Sequence, residues 1–194
     1  MATQPDIYLA SASPRRAELL GQIDVSFTVL HVDVDEQHRP GETPVDYVTR
    51  LALAKARAGK ALLDAADSCP VLGADTTVVV DDRIMGKPRD MEDAVAMLLS
   101  LSGRAHKVIS AVALAGAHVA VRVSISDVIF RTLTATECQA YWKTGEPRDK
   151  AGGYAIQGRA AQFVERLEGS YSGVMGLPLY ETAMLFKEFK INIL

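Results

Sequence analysis

Strand-like and helix-like segments alternate along nearly the whole chain, and this alternation limits the possible folds more than any other feature of the sequence. The first apolar run, residues 7–10, leads into Ser11-Ala12-Ser13-Pro14. Ser13 there suits a helix N-cap, Pro14 a first helical position, and Gly21 the stop. Residues 27–34 read as a strand. Thr43-Pro44-Val45-Asp46 is a capping-box-like start for a helix to about residue 63. Residues 70–80 are strand-like, and Asp81-Asp82 turns them back into residues 83–85. Asp90 caps a helix through Leu101 that stops at Gly103. Residues 108–114 and 119–133 follow as strands, the second with period-two alternation at Val119, Val121, Val123 and Ile125. Thr134-Ala135-Thr136-Glu137 is a full capping box for a helix ending near Gly145. The stretch 148–158 is Gly-rich and loop-like, 162–167 reads as a strand, and Pro178 opens a final helix towards Phe189. The expected architecture is α/β, a mixed, twisted, partly antiparallel sheet flanked by helices. With no repeat or linker, the 194 residues form a single domain, 1–194, compact or built as two small lobes sharing a core.

Charge excludes one large class of function. Twenty-one Lys and Arg face 24 Asp and Glu, a net charge of −3, so this is not a basic protein that coats a nucleic acid polymer. A membrane span needs about 20 mostly apolar residues. The longest apolar stretch, 108–121, is shorter and is broken by Ser110, Gly116 and His118. The N-terminus lacks the basic and apolar regions of a signal peptide. Cys69 and Cys138 make neither a disulfide framework nor a metal cluster and read as small buried residues in a reducing compartment, which points to the cytoplasm. GxxxxGK[ST], GxGxxG, HExxH and GxSxG are all missing, and none of the four histidines has metal-ligand spacing.

The informative positions are charges placed where local physics disfavours them. Arg15 and Arg16 fall in the first turn of the first helix, whose positive dipole end makes a cation cost about 0.3–1 kcal/mol. Together with the Ser11 and Ser13 hydroxyls and free backbone N–H groups they compose a polydentate anion site, unless both arginines bend back to Glu18. In the second helix Val48, Leu51, Ala52, Gly59 and Leu62 form an apolar stripe, and Lys55 falls in its middle. Such a lysine either snorkels to water or meets an anion. Asp75 interrupts an otherwise apolar strand, either as a turn-capping carboxylate or as a paired, reactive one, and Gly73-Ala74 before it admits a ligand or a second backbone. Glu36, with Asp33 and Asp35, would help Asp75 hold a divalent cation, although Asp33 equally suits a solvated turn. Lys87 sits on a rigid Gly86-Lys87-Pro88 turn. Four cations can neutralise a triphosphate while a carboxylate activates water, and positioning with charge stabilisation supplies most of the rate in such chemistry.

The blocks LASASPRRAELL, DVDEQ, RLALAKA, LGADTTVV, GKPRD, DKAGGYAIQG and VMGLPLYE, running in order from residue 9 to 181, resemble the Maf family of nucleoside triphosphate pyrophosphatases. That resemblance implies a fold with a cleft between two lobes, as in inosine triphosphatases, and metal-dependent hydrolysis (Mg²⁺ or Mn²⁺) of a nucleoside triphosphate to monophosphate and pyrophosphate. Asp75 would be the proton acceptor, with Ser11, Glu36, Lys55 and Lys87 in the remaining polar positions and Glu36 and Asp75 towards the metal. Arg15, Thr76 and Gln157 fall on the specificity positions. Ala74-Asp75-Thr76 with Ile156-Gln157-Gly158 resembles the branch acting on dTTP and UTP, where an amide and a hydroxyl pair with the uracil or thymine edge. Two other readings remain open, a pyrophosphatase for other modified nucleotides and a non-catalytic nucleotide sensor in septum formation. The family also implies a homodimer.

Overall fold

In a computed structural model, which describes residues 5–193, the chain winds around one mixed seven-stranded sheet. Strand β1 (Ile7–Leu9) runs parallel to β2 (Phe27–Val29) on one side and to β3 (Val71–Val80) on the other. From β3 onward the ladder is antiparallel, through β5 (Ala105–Ala115) and β6 (Val119–Phe130) to β7 (Val164–Glu168), while β4 (Arg83–Met85) folds back on the end of β3. The partly antiparallel sheet expected from the sequence is therefore present.

Helix starts follow their local chemistry. Helix α1 (Pro14–Gly21) begins with proline at its first position, and α2 (Pro44–Ala61) is capped by the Thr43 hydroxyl, which accepts from the Asp46 N–H at 3.2 Å. Asp90 caps α3 (Met91–Leu101) through the Asp93 N–H, and Thr134 with Glu137 closes both bonds of a capping box on α4 (Ala135–Lys143). Two short elements end the chain, α5 (Tyr171–Met175) and α6 (Leu179–Glu188).

Helix α2 covers one face of the sheet, where Val48, Ala52 and Ala56 meet Val79, Ala111 and Ala113. The opposite face carries the larger core, in which Leu72 and Leu114 pack with Leu98, Phe130 and Leu185. Each of these large side chains is fully buried, worth roughly 1.5–3 kcal/mol apiece in removed apolar surface. Cys69 and Cys138 are free and buried, as expected of small apolar residues. Among the described residues no helix is long and apolar enough to cross a membrane.

Several boundaries differ from the sequence reading, each for a physical reason. The strand expected over 27–34 stops at Val29, because its partner β1 spans three residues and then turns away. Strand β7 starts at Val164, since Arg159–Phe163 closes into 3₁₀ turns, and the loop-like 148–158 stretch contains the turn Ala151–Gly153 and the end of another, Glu146–Asp149. Leu62 does not complete the apolar stripe of α2. The helix has ended by then, and Leu62 is 62% exposed.

Candidate active site

The site begins with an interruption in strand pairing. One edge of β3 is fully used by β5, from Val71 to Val79. The other edge is shared, with β1 taking Val71 and Leu72 and β4 taking Val78 to Val80. Between them, residues 73–77 have no strand on that edge among the described residues, and the gap opens into a cavity of about 610 Å³. Alternation along β3 then sends Asp75 towards α2 and Thr76 to the opposite face of the sheet, so neighbours in sequence line the same cavity from two sides.

Helix α2 reaches Asp75 because Gly73 has no side chain. A Cβ there would lie 2.4 Å from the Ala52 carbonyl oxygen and 2.5 Å from the Ala56 nitrogen. The second backbone expected beside Gly73-Ala74 is thus α2 itself. This close approach places Lys55 Nζ 2.8 Å from Asp75 Oδ1 and 2.6 Å from Glu36 Oε1. Lys55 does not snorkel. It is a largely buried ammonium between two carboxylates. Asp33 and Asp35 lie outside the cavity lining, and Asp35 instead caps a local turn through the Gln37 N–H.

The arginines do not bend back to Glu18. Arg15 Nε donates to the Met175 carbonyl at 3.2 Å and Arg16 Nε to the Gly176 carbonyl at 2.8 Å, which aims both guanidinium groups into the cavity. Arg16 Nη1 also donates to Ser11 Oγ at 2.9 Å. Ser11 Oγ accepts from the Ser13 N–H as well, and the Ser13 side chain makes no capping bond. The same Gly176 carbonyl accepts from the Thr76 hydroxyl at 3.3 Å, while Ser110 Oγ lies 2.8 Å from Thr76 Oγ1 and donates to the Gly173 carbonyl at 2.6 Å. Thr76 therefore helps hold the turn on which both arginines rest, its proton directed to a carbonyl while its oxygen keeps lone pairs that can accept.

Burial is the largest influence on the Asp75 carboxyl and pushes it above its ordinary range, with Lys55 and Arg16 pulling the other way and Glu36 adding to the rise. Burial also works against the Glu36 charge, but Lys55, Lys87 and Arg16 outweigh it and hold that carboxyl below its usual value. The two carboxylates are thus pushed apart, one towards proton acceptance and one towards permanent charge.

Lys87 lines the cavity from the turn after β4, and Gln157 lines it from the far side, exposed and without a hydrogen-bond partner among the described residues. The ten residues that the sequence assigns to catalysis or substrate binding all line this one cavity, whereas Asp33 and Asp35 do not. Sequence reasoning missed Asp149 and Lys150, an adjacent ion pair on its rim, and Tyr47, whose hydroxyl donates to the Glu36 carbonyl at 3.0 Å. The signal for Lys150 lay in the polar, Gly-rich stretch treated as a loop. Tyr47 gave none beyond its place on α2.

Comparison with known proteins follows this geometry. The family model described as "Maf-like protein" matches residues 6–189. A dTTP/UTP pyrophosphatase of Alkalilimnicola ehrlichii is 55% identical over 192 residues, 97% of this chain and 95% of that protein. One of Saccharophagus degradans is 54% identical over 190 residues, covering 97% and 90%. Among solved structures, the Ham1 protein of Staphylococcus aureus superposes with a TM-score of 0.49 at 15% identity, over 95% of this chain and 97% of that one.

Proposed function

The chain belongs to the Maf-like protein family, and on that premise we propose that it hydrolyses dTTP and UTP to the nucleoside monophosphate and pyrophosphate, acting as one domain in the cytoplasm. The observation that carries the reading is the Lys55 ammonium held between Asp75 and Glu36 at the open edge of β3, facing two arginines fixed by backbone carbonyls. That arrangement sets a proton acceptor opposite a cationic cradle.

Arg15, Arg16, Lys55 and Lys87 bind and neutralise the triphosphate oxygens, with the Ser11 and Ser13 hydroxyls and the α1 N-terminus beside them. Asp75 takes a proton from water as its oxygen bonds to the α-phosphorus. The bond from that phosphorus to the bridging oxygen breaks, and its electron pair leaves with pyrophosphate. Burial makes Asp75 a stronger base than an exposed aspartate, while Lys55 keeps it ionised. Gln157 offers both an amide donor and a carbonyl acceptor, which match the O4 and N3–H of uracil or thymine.

A divalent cation fits this donor set. Among the described residues no group of three His, Cys, Asp or Glu forms a metal cage, but Mg²⁺ is usually held by one or two carboxylates together with substrate phosphate. Glu36 and Asp75 are such a pair, and Glu36 is half-exposed and so reachable. A bound Mg²⁺ or Mn²⁺ would supply charge compensation for the leaving group.

The test is pyrophosphate release from dTTP, UTP, CTP, ATP, GTP and 7-methyl-GTP, with Mg²⁺ and with EDTA. Release should strongly favour dTTP and UTP over the other nucleotides, with CTP turned over slowly, and should require the metal. Preference for a purine nucleotide, or tight binding of UTP without release, would refute the assignment.

A further inference from the structure

Gln157 occupies the third position of a four-residue turn, closed by the Gly158 N–H donating to the Ala155 carbonyl at 3.0 Å. Its neighbours are anchored, since Ala155 and Ile156 are buried and Ile156 belongs to the main core. Ala155 and Gln157 both line the cavity, and Gln157 is the exposed polar side chain of the two. What fixes the two stems of this turn is a pair of residues outside the cavity lining, Tyr141 near the end of α4 and Glu146 just beyond it.

We propose that Tyr141 and Glu146 are positioning residues for base selection, clamping the turn so that the Gln157 amide stands at a fixed height over the base. The entry stem is held by Tyr141, whose hydroxyl accepts from the Ala155 N–H at 3.2 Å. The exit stem is held by Glu146, whose Oε2 accepts from the Arg159 N–H at 2.9 Å and whose Oε1 accepts from the Ala160 N–H at 3.4 Å. The clamp is closed by the Tyr141 hydroxyl, which donates to Glu146 Oε1 at 2.6 Å. One carboxylate thus accepts three hydrogen bonds, and every donor it meets belongs to a stem of the turn or to the tyrosine that holds the other stem. Gly158 completes the fit, because a Cβ there would sit 2.4 Å from Glu146 Oε1 and displace the carboxylate. A hydrogen-bond network that joins both stems limits how far the turn can move, and a hydrogen-bonding group must be held to roughly 0.5 Å to discriminate.

This inference rests on the reading of Gln157 as the base-contacting residue, so the experiment separates the two. The measured quantities are kcat and KM for UTP and CTP, and product inhibition by pyrophosphate, for Tyr141→Phe, Glu146→Gln, Gln157→Ala and the double variant Tyr141→Phe/Gln157→Ala. Tyr141→Phe keeps the ring and deletes the bridging oxygen. Glu146→Gln turns one acceptor into a donor facing an N–H. Each should lower the UTP-over-CTP ratio of kcat/KM by about tenfold, roughly the worth of one lost hydrogen bond, mainly through KM. Their kcat for UTP and their pyrophosphate inhibition should stay within about twofold of the parent. In the Gln157→Ala background, Tyr141→Phe should have no further effect on the ratio, since both act on the same contact.

If Gln157→Ala leaves the ratio unchanged, Gln157 does not read the base and the clamp loses its purpose. If Gln157→Ala abolishes selectivity while the clamp variants retain it, the positioning role is overturned and the base reading stands. Equal damage to kcat and to pyrophosphate inhibition would mark Tyr141 and Glu146 as merely structural. Should Glu146→Gln fail to fold, Tyr141→Phe decides the question by itself.

Discussion

Asp75 is a carboxylate pulled in two directions, by burial towards its neutral form and by Lys55 and Arg16 towards its charge. The net displacement is upward, and the sign has two consequences. In catalysis, a raised carboxylate is a better proton acceptor, and activity should fall away on the acid side at a pH above the usual aspartate range. In stability, a group whose folded pKa exceeds its unfolded value contributes most when protonated, and that contribution is lost as pH rises through the folded pKa. At neutral pH the ionised Asp75 is therefore a cost to the fold. Asp75→Asn should lose about 10²–10⁴ in kcat with dTTP and UTP, the range for removing a general base, while the Tm at pH 7.5 equals or exceeds the parent's. Lys55 keeps Glu36 as a partner in that variant. Pyrophosphate release and a thermal melt check the pair of outcomes, and a wild-type rate or a marked fall in Tm would contradict it. Asp75 was also the easiest residue to pick from the sequence, since an acid in an apolar strand needs a special reason. Thr76 was harder. Only the fold shows its hydroxyl proton going to the Gly176 carbonyl, which leaves the oxygen as an acceptor.

At the scale of elements, the contact of β3 with α2 decides whether the site exists. Gly73 permits the approach, and any side chain would meet the α2 backbone, which cannot yield as a flexible side chain would. Gly73→Ala should push α2 outward, cost about 1–3 kcal/mol in urea unfolding, and carry Lys55 away from Asp75. The kcat should then fall by more than tenfold even in protein that is still fully folded by circular dichroism. A variant with normal stability and normal kcat would show that the approach is not needed. Elements with strong local chemistry were legible, namely the capped helices α2, α3 and α4 and the long strands β3 and β6. Those whose limits are set by a distant partner were not. Strand β2 ends where β1 leaves it, and α5, barely more than one turn, is too short to show a helical period.

Over the whole molecule, the cavity gathers segments that are far apart in the chain, and the contacts joining them leave no mark on residue type. Arg15 and Arg16 each find a carbonyl 160 positions away, and a carbonyl is carried by every residue. The charges could be read from the sequence, whereas the groups that orient them could not. His106 is the same problem seen through stability. It sits on β5, 3% exposed, with its ring edge-on to Phe130 and its Nε2 2.7 Å from the Tyr154 hydroxyl, so it joins β5, β6 and the start of the segment that carries Gln157. Its Nδ1 is buried with no partner among the described residues, and burial, helped by Arg104, lowers the imidazole pKa to about 4. The unfolded chain binds a proton near pH 6.5 that the folded chain refuses until about pH 4, so stability is lost as pH falls through that window. By pH 5 the loss should be about 2 kcal/mol, approaching about 3 kcal/mol at the lower limit. Glu42 and Glu137, held near 2 by Arg50 and Arg131, add their own losses mainly below about pH 5 and Asp75 acts in the opposite direction, so the comparison with a His106 variant isolates the imidazole's share. Urea midpoints at pH 7.5, 6.0 and 5.0 should fall in sequence for the parent chain. In His106→Gln, which keeps an amide for Tyr154 but has nothing to protonate, the same three midpoints should change much less. If the parent's midpoint holds constant from pH 7.5 to 5.0, His106 is not an acid-labile point of the fold.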